Sequence, residues 1–127
     1  MRLDHVALYV RDLDAVKDFF VKYFATTSNE KYQNPISGFQ SYYICFESGC
    51  RIELMSKPRM TDQPKDPNRT GYNHIAISLG SKEAVDEQTQ RLKNDGYTVF
   101  SGPRTTGDGY YESCIVAVED ILIELTI

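Results

Sequence analysis

The sequence predicts an α+β fold: two tandem βαβββ modules forming a curved mixed sheet, with a concave face and the helices outside. Three observations predict it. The first is an internal repeat. Asp4-His5-Val6-Ala7-Leu8 returns as Asn73-His74-Ile75-Ala76-Ile77, and Ile52-Glu53-Leu54 returns as Ile123-Glu124-Leu125. The separations, 69 and 71 residues, are nearly equal, so one tandem duplication accounts for both matches. The second is that each half shows the same order of periodicities, one strand, one helix and then three strands. The third is composition. The chain has 127 residues, 41% hydrophobic and 25% charged, which fits one folded domain with a real core and argues against disorder.

The elements follow in order. Residues 3–10 alternate, with Val6, Leu8 and Val10 on one side, and read as a strand. Asp12 is placed to cap a helix over 13–24, whose apolar positions Leu13, Val16, Phe19, Phe20 and Tyr23 have helical spacing. Strands are expected at 27–33, ending before Asn34-Pro35, then at 39–47 and 50–56, with Gly49 in the turn between the last two. The second half repeats the plan: a strand at 72–79, a helix over 81–94 with Ser81 as cap and Gly96 past its end, then strands at 97–101, 110–118 and 121–127. Residues 102–109 read as a loop rich in glycine. Between the halves, residues 57–71 are polar and hold Pro58, Pro64 and Pro67, so they read as a linker. The domain organisation is therefore a single domain over 1–127, with modules 1–56 and 72–127 joined by linker 57–71.

Composition also excludes function classes. There are 14 Lys and Arg against 18 Asp and Glu, a net charge of −4, where a nucleic-acid or anionic-membrane surface calls for a basic patch. No apolar run approaches the ~18 residues of a membrane span. The start, Met1-Arg2-Leu3-Asp4-His5, has an acid and a His where a signal peptide would be apolar. The three Cys make no CxxC, so neither a disulfide framework nor a zinc knuckle is expected, and the chain reads as a reduced cytoplasmic protein.

Strand alternation assigns the chemistry to one face. His5 points away from Val6 and Leu8, Glu53 from Ile52 and Leu54, His74 from Ile75 and Ile77, and Glu124 from Ile123 and Leu125. The apolar sides need the two helices as cover. The opposite face then collects two imidazoles and two carboxylates, and these are the only His in the chain. Such a face is costly unless compensated, and a divalent metal takes both His nitrogen and carboxylate oxygen. Singly, each of the four is an ordinary strand residue; together, in register across a duplication, they point to a metal cup.

The doubled strand-helix-three-strand unit, with His on the first strand and Glu on the last, resembles the vicinal oxygen chelate superfamily, which includes glyoxalase I, fosfomycin-resistance enzymes, bleomycin-resistance proteins and extradiol dioxygenases. Leu3-Asp4-His5-Val6-Ala7, Arg51-Ile52-Glu53-Leu54, Tyr72-Asn73-His74-Ile75-Ala76, Gly109-Tyr110-Tyr111-Glu112-Ser113 and Leu122-Ile123-Glu124-Leu125 carry the resemblance, which covers the whole chain. It implies metal ligands at His5, Glu53, His74 and Glu124, a set similar to that of bacterial glyoxalase I. The ion would be Ni, Zn, Co, Mn or Fe. It further implies a lyase or isomerase that moves a proton next to a carbonyl through a metal-chelated enediolate, with Glu53 and Glu124 as the catalytic groups. The expected partners are a small-molecule substrate, for which a thiol adduct is one candidate, and a second copy in a homodimer. Tyr9 stands where the bacterial enzyme has an Arg for the glutathione carboxylate, which counts against glutathione as the thiol and leaves the thiol open. Two other readings stay open. One is a metal-dependent thiol transferase acting on an electrophilic drug, which needs only His5, His74 and Glu124. The other is a non-catalytic drug-sequestering binder with no metal. An iron dioxygenase is a further option, weakened because these enzymes are usually about twice this length.

Overall fold

The computed structural model of the chain describes every residue except Lys65 and Pro67. These two fall in the expected linker, and the expectation for Pro67 lies outside the described residues. The chain divides into two compact units, Met1–Gln63 and Pro64–Ile127.

The first unit is a βαβββ module. Strand β1 (His5–Tyr9) leads to helix α1 (Leu13–Tyr23), then to the short strands β2 (Thr27–Ser28) and β3 (Tyr32–Gln33), and on to β4 (Gln40–Cys45) and β5 (Arg51–Ser56). The sheet order is β1-β5-β4-β2, with β3 also on β4. β1 runs parallel to β5 and the other pairs are antiparallel. The second unit repeats this with β6 (Ile75–Ser78), α2 (Lys82–Asn94), β7 (Thr98–Thr105), β8 (Tyr111–Val116) and β9 (Leu122–Thr126), in the order β6-β9-β8-β7. β6 is parallel to β9, as β1 is to β5. The predicted α+β class and the tandem βαβββ plan are both present. Neither helix is long and apolar enough to cross a membrane.

Local chemistry starts both helices where expected. The Asp12 carboxylate accepts from Ala15 N at 2.9 Å, and Ser81 Oγ accepts from Ala84 N at 3.1 Å, each satisfying an otherwise orphaned donor of the first turn. Asp95 caps the end of α2, and Gly96 follows at φ +95°, a conformation that glycine adopts without strain. Each helix covers the apolar side of its own sheet. In the first unit α1 packs on β4 and β5, and Val16, Phe20, Ile44, Ile52 and Leu54 are buried; in the second α2 packs on β8 and β9, and Val85, Leu92, Ile115, Ile123 and Leu125 are buried. A phenol ties each sheet to its helix: Tyr42 donates to Asp14 Oδ1 at 2.8 Å, and Tyr111 donates to Asp86 Oδ1 at 2.7 Å. Burial among close-packed atoms then holds one register, since a one-residue slip would turn every apolar side chain outward.

Three elements differ from the sequence reading. The strand expected over 27–33 is two pieces, because the Asn29 side chain takes the Tyr43 N–H at 2.6 Å and interrupts the ladder between them. The strand expected over 72–79 begins only at Ile75. Residues 102–105, expected as loop, lie in β7. Register shifts between Val99 and Ser101 and between Ser101 and Arg104 let the strand continue through Gly102 and Pro103. Gly102 sits at φ +79°, and a Cβ there would lie 2.5 Å from the Glu112 carbonyl oxygen, so only glycine permits this approach. The loop proper is the turn after Thr106, closed by Thr106 N donating to the Tyr110 carbonyl at 2.8 Å.

Leu54 and Leu125 are fully buried at matching places in the two sheets. Truncating either to Ala should lower stability by about 2–5 kcal/mol, read from denaturant melts, while Ile36→Ala at an exposed position should change it by less than about 0.5 kcal/mol. Asp14 gives a pH signature. The Lys31 ammonium at 2.5 Å, with the Tyr42 hydroxyl, holds its carboxyl below the usual range. A lowered native pKa stabilises above the unfolded pKa and is lost as pH falls through the native one. Asp14→Asn should therefore lower the melting temperature near pH 7, and the gap from the parent should close in strong acid.

Candidate functional site

The site is built twice, once in each unit, from the same backbone pairing. In the parallel β1/β5 pair His5 lies beside Arg51 and Ala7 beside Glu53, so His5, Arg51 and Glu53 share the face away from α1. In the antiparallel β4/β5 pair Tyr43 stands directly across from Glu53 on that face. His5 Nε2 is 3.5 Å from Glu53 Oε2. The His5 ring meets the Tyr43 ring edge-on at 5.4 Å, and the Arg51 guanidinium lies 4.9 Å over the same ring. The other imidazole nitrogen, Nδ1, is 2.9 Å from Asp4 Oδ2. An ionised carboxylate can only accept, so Nδ1 carries the hydrogen. The Arg51 guanidinium donates to the same Asp4 oxygen. These bonds, from His5 first and then Arg51, hold the Asp4 carboxyl below the usual range.

In the second unit His74 precedes β6 by one residue, and Ala76 pairs with Glu124 on β9 as Ala7 does with Glu53 on β5. His74 Nε2 is 3.5 Å from Glu124 Oε2, the same separation as in the first unit. His74 Nδ1 is 2.9 Å from Asn73 Oδ1, as His5 is from Asp4. What surrounds the pair is different. Cys114, not a tyrosine, stands across from Glu124, and Glu112 stands across from Thr126 on the same face. Burial first, and then the Glu112 charge, push the Glu124 carboxyl above the usual carboxylate range. Burial pushes the Cys114 thiol up to about 11, so it is neutral at physiological pH and packs as a small apolar group. Arg104 lies 3.5 Å from Glu112.

The geometry has a chemical consequence. With hydrogen on Nδ1, a neutral imidazole presents its lone pair at Nε2, and the glutamate presents another 3.5 Å away. Two acceptors facing each other repel and are stabilised by a cation between them, either a proton on Nε2 or a metal ion. The donor set, imidazole nitrogen with carboxylate oxygen, suits a borderline divalent ion. The carboxylate side chains are the more enclosed members, 16% exposed at Glu53 and 21% at Glu124, while the imidazoles are 33% and 39% exposed. Each pair is thus anchored in its sheet and open on the imidazole side.

The four residues singled out from sequence fall into two pairs, His5 with Glu53 and His74 with Glu124. Among the described residues, no group of three or more His, Cys, Asp or Glu side chains is gathered as a metal site would need. Sequence reasoning missed the roles of Asp4, Asn73, Tyr43 and Glu112. The first two had a signal: each His is preceded by an Asx residue, and that dipeptide is part of the repeated word. Arg51, on the same face as His5 and Glu53, pairs with Asp4.

Comparison with known proteins agrees with this architecture. The sequence profile of the Glyoxalase/Bleomycin resistance protein/Dioxygenase superfamily matches residues 2–121, and the chain belongs to that superfamily. Among curated proteins, uncharacterized protein YqjT of Bacillus subtilis is 28% identical over 130 residues, spanning 97% of this chain and 96% of the relative. Among solved structures, a glyoxalase family protein from Bacillus cereus superposes with a TM-score of 0.83 at 21% identity, covering 99% of this chain and 93% of its own. A variant of the fosfomycin resistance protein FosX from Listeria monocytogenes, in complex with Mn(II) and 1S,2S-dihydroxypropylphosphonic acid, superposes with a TM-score of 0.74 at 24% identity, covering 98% and 90%. At these identities the superpositions establish a shared fold.

Proposed function

We propose that this protein is a metal-dependent enzyme of the glyoxalase type, a lyase or isomerase that moves a proton next to a carbonyl of a small substrate. His5, Glu53, His74 and Glu124 are the metal ligands in this reading. The observation that carries it is the twice-built pair: an imidazole Nε2 facing a glutamate Oε2 at 3.5 Å, with Nδ1 2.9 Å from the side-chain oxygen of the preceding residue in both units. A chance surface contact would not recur with the same separation on both nitrogens. The Mn(II) in the FosX complex supports a divalent ion as the cation class.

When bound, the ion supplies Lewis acidity that stabilises negative charge developing on a substrate oxygen. The chain supplies the proton chemistry. Glu53 and Glu124 are the bases within reach, and their enclosure strengthens them as acceptors by excluding competing water. Glu124, with its raised carboxyl, is suited to return a proton; Glu53, beside the Arg51–Tyr43 stack, is suited to remove one.

Elemental analysis of the stripped and reloaded protein should find near one divalent ion per chain, lost in His5→Ala and in Glu124→Gln. Glu53→Gln and Glu124→Gln should each reduce turnover of hemithioacetal or other α-hydroxycarbonyl substrates by at least about 100-fold, the scale of one general acid–base group, with little change in melting temperature. Activity on an electrophilic drug that survives Glu53→Gln but not Glu124→Gln would instead support the transferase reading. No retained ion would move the sequestering binder to first place. We also propose a homodimer, for which light scattering should give twice the 14.5 kDa chain mass.

A further inference from the structure

We infer that Asp4 and Asn73 are positioning residues, each fixing its neighbouring imidazole with the hydrogen on Nδ1 so that Nε2 is turned toward Glu53 or Glu124 as the ligand atom. The inference rests on the metal reading above for the word ligand, and on geometry alone for the orientation.

A free histidine distributes its hydrogen over both ring nitrogens and rotates about two side-chain bonds, so neither which nitrogen faces the glutamate nor where it sits is set by the backbone. Here both choices are made by the preceding residue. Asp4 Oδ2 and Asn73 Oδ1 each stand 2.9 Å from Nδ1, and both are acceptors. The two are placed by the same local device, an Asx residue immediately ahead of the strand-entry His, so the duplication carried the partner along with the ligand. The halves then diverged. Asp4 is a carboxylate held by Arg51, whereas Asn73 is a neutral amide and Leu122 occupies the place on β9 that Arg51 has on β5. Outer partners of this kind orient metal-bound imidazoles and raise their basicity, and removing one weakens metal affinity about 10–100-fold. The second half also supplies its own control: an amide oxygen suffices there, so Asp4→Asn should preserve the orientation that Asp4→Ala destroys.

The test uses the full chain. Nitrogen-15 NMR of the metal-free protein, taken at a pH high enough that both imidazoles are neutral, should show the Nδ1–H tautomer at both histidines. Asp4→Ala should move His5 toward the Nε2–H form and leave His74 unchanged, and Asn73→Ala should do the reverse, while Asp4→Asn keeps the parent pattern. Calorimetric titration with Ni(II) should show affinity about 10–100-fold weaker in each Ala variant and within about threefold of the parent in Asp4→Asn. Parent-like tautomers in both Ala variants, or an Nε2–H parent, would overturn the inference. Tautomers that shift as expected in a protein that takes up no Ni(II) would uphold the positioning role and sink the metal reading instead. Both variants change exposed side chains, so circular dichroism should show the parent fold.

Discussion

The parallel pairing of the first and last strands in each half is the constraint on which the rest of the molecule depends. A parallel pair cannot be closed by a tight turn and needs a long crossover. In each unit that crossover contains the helix, which comes back to cover the apolar side of the sheet. The same pairing sets Ala7 beside Glu53 and Ala76 beside Glu124, which leaves a small residue next to each carboxylate and brings in the imidazole two positions earlier on the same face. Core and site are thus two sides of one strand pair. Leu54 cannot be buried against α1 without turning Glu53 the other way, and Leu125 stands in the same relation to Glu124.

The duplication preserved this scaffold and changed its chemical setting. Around His5 and Glu53 lie a guanidinium, a phenol and an ionised Asp4. Around His74 and Glu124 lie a neutral amide, a protonated thiol and a second carboxylate in Glu112. Two pairs with the same His–Glu separation therefore sit in different fields, and Glu124 holds its proton more tightly than an ordinary glutamate because of burial and the neighbouring Glu112.

Much of this was legible in the chain. The shared separation of the two repeated words exposed the module, and both helix caps were readable because an Asx or Ser side chain satisfies an orphan N–H through contacts within one turn. Period-two alternation assigned His5, Glu53, His74 and Glu124 to the faces they occupy. The failures share a cause, which is dependence on a partner strand. Residues 27–33 look continuous until Asn29 takes a backbone donor of β4. Gly102 and Pro103 look like loop until the slipped register of β8 accommodates them in β7. Neither Tyr43 nor Glu112 is marked as a site neighbour until register sets the first across from Glu53 and the second across from Thr126, beside Glu124.

By itself, then, the sequence determined the two βαβββ modules, the superfamily resemblance, the caps and the identity of the four polar residues, because each depends on local periodicity or on a repeated word. Only the tertiary structure decided that His5 meets Glu53 and His74 meets Glu124 at 3.5 Å, that Asp4 and Asn73 claim the opposite ring nitrogens, and that the two pairs stand in unlike surroundings. Those facts depend on which residues face one another across hydrogen-bonded strands far apart in the chain. Register of that kind is chosen by burial of the whole apolar face at once, and no short stretch of sequence contains it.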